Sequence, residues 1–177
     1  MSIKVSYRKS FFRLLVAVGV GVCFTPLVAL AGVDNFTSDL TITSDVDENT
    51  GKRFNGDNLT FEVNSGISYN RQGHNAVLFN GAQSGATIVI NSGATLSAYK
   101  ATPSKSNAIN AEDSVNLTVT NSGTISAAGG ATAIKLVGTS GAQVTNNAGG
   151  SIFAKSSTII GNATTTSPTI TNSGDIY

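Results

Sequence analysis

A phrase built on asparagine and glycine returns five times at nearly even spacing, and that period limits what the chain can fold into. It reads Asn64-Ser65-Gly66, Asn91-Ser92-Gly93, Asn121-Ser122-Gly123, Asn146-Asn147-Ala148-Gly149 and Asn172-Ser173-Gly174. The steps from Asn to Asn are 27, 30, 25 and 26 residues, the size of period that marks a solenoid. A short run rich in β-branched residues precedes each phrase (59–63, 87–90, 117–120, 143–145, 169–171), and a second apolar run follows it (67–69, 95–98, 124–127, 151–154, 175–177). A third run lies between phrases, at 76–79, 108–110, 133–136 and 158–160. Three strands and three corners per period is the plan of a parallel β-helix. An antiparallel meander would bring turns about every 8–12 residues, with no fixed phrase at the longer spacing.

Alternation inside the runs agrees. Leu117 and Val119 share one face of a strand and Thr118 and Thr120 the other; Ala86, Ile88 and Ile90 likewise share a face. The apolar set is expected to fill the bore and the Thr and Ser set to coat the outside. Asn suits the corner because its amide bonds nearby backbone and it tolerates the left-handed region. The glycine after it supplies positive φ without steric cost. The expected class is all-β, a parallel β-helix of about four to five coils, with Asn64, Asn91, Asn121, Asn146 and Asn172 stacked at one corner.

The first 31 residues differ from the rest. Lys4, Arg8, Lys9 and Arg13 form a basic start, residues 14–30 are apolar, and Ala29-Leu30-Ala31 is a small-x-small box. This is the pattern of a secretory signal peptide, with cleavage expected between Ala31 and Gly32. The stretch is short for a membrane span and is interrupted by Gly19, Gly21 and Pro26. Cys23 is lost with it, so the mature chain has no thiol to build a disulfide. Seven Lys and Arg then face ten Asp and Glu, and the cations are scattered. That excludes the basic stripe of a nucleic-acid binder. Charged residues are 12 % of the chain, but 40 % is apolar, more than a disordered tract carries. Residues 32–57 are expected as an amino-terminal lead-in: one strand at 39–43, then a polar loop at 44–55 that caps the helix end. The repeats occupy 58–177.

Catalytic constellations are missing from the pattern. Glycoside cleavage needs two carboxyls across one bond, and Glu112 and Asp113 are adjacent in a loop. Asp45, Asp47 and Glu48 lack the ligand spacing and glycine of a calcium loop. His74 is the single histidine, too few for a zinc cluster, and Gly129-Gly130 has no following Lys-Ser or Lys-Thr to make a phosphate loop. The expectation is no catalytic residue, no metal and no cofactor. No binding residue is named by the pattern.

Val119-Thr120-Asn121-Ser122-Gly123-Thr124-Ile125-Ser126-Ala127 and Ile170-Thr171-Asn172-Ser173-Gly174-Asp175-Ile176 resemble the repeat phrase of bacterial autotransporter passenger domains. The resemblance covers residues 58–177. Haemagglutinin-like secreted exoproteins use similar repeats, but the Asn-Pro-Asn motifs of their secretion domains do not occur here. The resemblance implies a Sec-exported passenger, a right-handed parallel β-helix at the cell surface, and an outer-membrane β-barrel in the full-length protein. No alternating barrel segment is present, so the chain reads as the amino-terminal part of a passenger, periplasmic where no translocator serves it. A structural or adhesive, non-catalytic role is implied, with host-cell or matrix surface molecules or glycans as partners. The alternatives are a fragment of a pectin-lyase-like polysaccharide-acting enzyme and a truncated, non-functional remnant.

Overall fold

The computed structural model describes residues 2–6, 12–17, 21–26, 32–99, 106–128 and 132–177. They fall into two units, Met1–Leu30 and Ala31–Tyr177. In the first, Ser2–Ser6, Phe12–Ala17 and Gly21–Pro26 form a three-stranded antiparallel sheet. The boundary falls one residue before the expected cleavage position; Ala31 itself lies outside the described residues.

The second unit is a parallel β-solenoid of about five turns, and no helix occurs among the described residues. Its first sheet stacks Gly32–Phe36, Thr50–Phe54, Val77–Phe79, Ile109–Asn110, Thr132–Lys135 and Ser157–Ile160. The second stacks Leu40–Ile42, Thr60–Val63, Thr87–Ile90, Thr118–Asn121, Gln143–Asn146 and Thr169–Asn172. The third stacks Val46–Glu48, Ser68–Gln72, Thr95–Tyr99, Thr124–Ala127, Ser151–Ala154 and Asp175–Ile176. Each winding gives one strand to each sheet. Six stacked strands at about 4.8 Å make a rod of about 24 Å.

Register turns the period into columns. Phe61, Ile88, Val119, Val144 and Ile170 align in the second sheet, and Tyr69, Leu96, Ile125, Ile152 and Ile176 in the third. The first four of each column are at most 1 % exposed. The core is graded along the axis. Phe36, Phe54 and Phe79 align in the first sheet with centroids 4.5 and 4.6 Å apart, close to the strand spacing; Phe54 and Phe79 stack, and Phe36 is tilted by 55° to Phe54. Phe61 meets Tyr69 edge-on at 5.8 Å. The middle windings are aliphatic. In the last winding Ile170 is 49 % exposed.

Two expectations change. Residues 32–57 are not a strand and a capping loop: 32–48 is a complete winding, and 44–55 contains the strands Val46–Glu48 and Thr50–Phe54. Polar residues hid these strands: Glu48 and Lys52 share the inward faces with Val46 and Phe54 and break the apolar alternation. The five phrases also make two kinds of corner. After Val63, Ile90 and Asn146 four residues turn the chain, closed by hydrogen bonds from Ile67 N to Asn64 O, Ala94 N to Asn91 O and Gly150 N to Asn147 O at 2.9–3.1 Å. The third residue of each turn, Gly66, Gly93 or Gly149, has φ of 71–80°, as a type II turn asks of glycine. After Asn121 and Asn172 only two residues turn the chain, and their glycines serve close approach instead. A Cβ on Gly123 would run into the carbonyl oxygens of Ala94 and Asn91.

The two corners predict different costs. Gly66→Ala has open space and meets only the left-handed penalty, about 1 kcal/mol. Gly123→Ala forces two backbones apart and is expected to cost about 3 kcal/mol. Urea unfolding of both variants checks the order.

Candidate functional site

Two polar assemblies lie inside the solenoid. The first sits where the third sheet turns into the first, in the opening two windings. Later windings fill one column there with Ala98, Ala127 and Ala154, and the next with Val77, Ile109, Ile134 and Ile159. In the opening windings the same columns hold Glu48 and Arg71, and Asp34 and Lys52. Lys52 Nζ lies 2.9 Å from Glu48 Oε1 and 3.0 Å from Asp34 Oδ2. The Tyr69 hydroxyl is 2.7 Å from the Thr50 carbonyl oxygen and 3.0 Å from Glu48 Oε1. Arg71, 1 % exposed, donates through Nη2 to Asn49 O (2.8 Å) and Gly32 O (3.1 Å), and through Nη1 to Gln72 O (3.3 Å). Buried charges persist only when paired and hydrogen-bonded; Lys52 is paired with the half-buried Glu48 and the exposed Asp34, whereas Arg71 is held by carbonyl oxygens rather than a carboxylate.

The environment moves these groups in consistent directions. Burial and then the Glu48 carboxylate push the Tyr69 phenol up, so it stays protonated and is no base. Burial acts to lower Lys52, but the hydrogen bonds its ammonium donates to Glu48 and Asp34, with their charges, outweigh it and the net shift is upward. Burial pulls the Arg71 guanidinium down.

The second assembly is the asparagine stack. Asn121 Nδ2 donates to Asn146 Oδ1, and Asn146 Nδ2 to Asn172 Oδ1, each at 2.8 Å. Asn146 Nδ2 also reaches Asp175 O (3.1 Å) and Gly150 O (3.3 Å). Asn121 Oδ1 accepts from Gly123 N at 3.2 Å, closing its own corner. The expected five-membered stack is therefore three-membered. Asn121 and Asn146 are buried at register positions that Val63 and Ile90 occupy in earlier windings. Asn64 and Asn91 stand one residue further on. Asn91 points outward to Glu62 Oε1 at 2.7 Å, and Asn64 donates its backbone N–H to Ile42 O at 3.1 Å.

The remaining expected residues are dispersed. Glu112 is half-buried and ion-paired with Lys135, which holds its carboxyl below the usual range, while Asp113 is exposed. Asp39, Asp45 and Asp57 each accept a backbone N–H of the next winding, from Thr60, Ser68 and Ser84, at 2.8 Å. No group of three His, Cys, Asp or Glu that could hold a metal occurs among the described residues. Residues 100–105 of the loop containing Pro103, and Gly129-Gly130, lie outside the described residues. Gly32, the expected first residue of the mature chain, opens the first strand of the first sheet.

Sequence reading gave no role to Arg71 or Tyr69, and placed Glu48 and Lys52 in the capping loop at 44–55. The available signal was parity: Lys52 is two residues before Phe54, and Arg71 two after Tyr69, so both share the inward face. No family model, curated protein or solved structure matches the chain.

Two outcomes follow from this chemistry. Asn146→Ala removes an acceptor from the buried Asn121 amide and leaves a gap at a buried position, while the exposed Asn172 can turn to water, and it is expected to cost about 2 kcal/mol. Asn64→Ala is expected to cost about 0.5 kcal/mol, and chemical denaturation compares them. Tyr69 and Lys52 hold their protons more tightly folded than unfolded. Their contribution is complete below their ordinary values of 10.0 and 10.5 and drains as pH rises from there towards the raised folded values. The melting temperature should therefore fall above about pH 10, and Tyr69→Phe should start lower and fall less steeply.

Proposed function

We propose that the chain is an exported, surface-displayed passenger segment of an autotransporter-like protein, with a structural or adhesive role and no catalysis. The observation that carries this reading is the outer face of the second sheet. Thr60, Thr87, Thr118, Gln143 and Thr169 align across the windings, and Thr120, Thr145 and Thr171 align beside them. A largely apolar bore behind rows dominated by hydroxyls, the second of which holds Glu62 and Val89 in earlier windings, suits a stiff carrier that makes many weak contacts with glycans or with matrix or host-cell surfaces, where summed weak contacts give avidity. The carboxylates favour the non-catalytic reading: Glu48 and Glu112 are ion-paired, and Asp39, Asp45 and Asp57 tie down backbone. The basic and apolar start with its small-x-small box supports Sec export, with processing before Gly32.

Production of the full chain in a Gram-negative host tests the proposal. The expected product lies outside the cytoplasm, begins at Gly32, and binds members of a glycan panel without cleaving them. Release of reducing or unsaturated ends from acidic polysaccharides would overturn the non-catalytic reading.

A further inference from the structure

We propose that Arg71 is a built-in anchor for the amino terminus created by processing at Gly32, locking the first residue of the mature chain into the first winding. The inference rests on the export reading above and adds to it a mechanism for closing that end of the rod. Cleavage adds water across the Ala31–Gly32 bond, leaving a carboxylate on Ala31 and an ammonium on Gly32. Termini ordinarily fray unless something ties them down. Here both backbone polar groups of Gly32 are held. Its nitrogen donates to Asn49 O at 3.3 Å, and its carbonyl accepts from Arg71 Nη2 at 3.1 Å. The ammonium retains hydrogens for the same acceptor.

The position is a costly one for arginine. Alanine fills that column in three later windings, so packing does not call for a cation. Arg71 Nε is buried without an acceptor. Room for the guanidinium comes from Gly51, where a Cβ would lie 3.1 Å from Nε and 2.5 Å from Asn75 O. Arg71 Nη2 also takes Asn49 O, which joins the end of the first winding to its beginning. Two residues on, Asp34 is fastened by Lys52. The first strand is thus pinned from its first residue, which holds it against fraying. It also sets an order of events. A protease needs the segment around the scissile bond extended and free, so cleavage precedes docking of Gly32 onto Arg71.

The test uses the processed chain, purified from an exporting host and treated with a broad-specificity aminopeptidase. Release of Gly32 and Val33 is followed by mass spectrometry. The wild type is expected to resist, and Arg71→Gln to be trimmed at least tenfold faster while still melting cooperatively. Lys52→Ala, which frees Asp34 but leaves Arg71 in place, should keep Gly32 protected. A second form carries Ser-Gln inserted between Ala31 and Gly32, which leaves the small-x-small box ending at Ala31; trimming should remove the two added residues and stop at Gly32, an outcome that does not depend on any Arg71 variant folding. Trimming of the wild type at the rate of Arg71→Gln, equal resistance of the two, or trimming of the inserted form past Gly32 would overturn the anchor. A terminus other than Gly32 would also sink it. A chain retained uncleaved in the cytoplasm would instead refute the export reading.

Discussion

Parallel hydrogen bonding between successive windings is the constraint from which the other features follow. Once a strand pairs in register with the strand one winding earlier, its inward residues fall on the same columns, about 4.8 Å above their predecessors. Each column must then be filled by side chains that tolerate a like neighbour at that distance. Aliphatic groups do so through the middle of the rod, and rings do so at its start, where Phe36, Phe54 and Phe79 follow one another at 4.5 and 4.6 Å. A one-residue slip would turn each of these residues outward. The backbone ladder and the side-chain columns therefore enforce one another.

In the later windings the inward asparagines take repeating partners from the ladder. The Asn121–Asn146–Asn172 stack uses the same translation as the backbone: Asn121 donates to Asn146, and Asn146 to Asn172, each one winding on. Its members close both kinds of corner: two residues turn the chain after Asn121 and Asn172, but four after Asn146, as after Val63 and Ile90. The amide at the inward position therefore permits the short corner without dictating it.

The opening windings solve a different problem. The first strands have a neighbour on one side of the solenoid and none of the repeat's phrases to set their register. Charged side chains supply it. Asp34, Lys52 and Glu48 form a line across two windings, and Arg71 reaches three carbonyl oxygens, those of Gly32, Asn49 and Gln72. Removing charges from water is expensive, but their directional pairing tolerates fewer alternative registers than aliphatic contact does.

The solenoid class, its three runs per period and its inward aliphatic faces were legible in the sequence, because the period and the alternation are both local. The strands at 60–63, 87–90, 118–121, 143–146 and 169–172 fall within one residue of where those signals place them. Which asparagines meet was decided only in three dimensions. An identical Asn-Ser-Gly conceals whether its asparagine has inward parity, as Asn121 has after Val119, or outward, as Asn91 has after Ile90. The first winding and its charged cluster were hidden for a related reason. Glu48, Lys52 and Arg71 read as solvated loop residues one by one, and only the stacking of separate windings brings their opposite charges and the backbone carbonyls within reach. The sequence could specify what each residue prefers next to its chain neighbours; contacts across 18 to 39 positions exist only once the ladder has set the register.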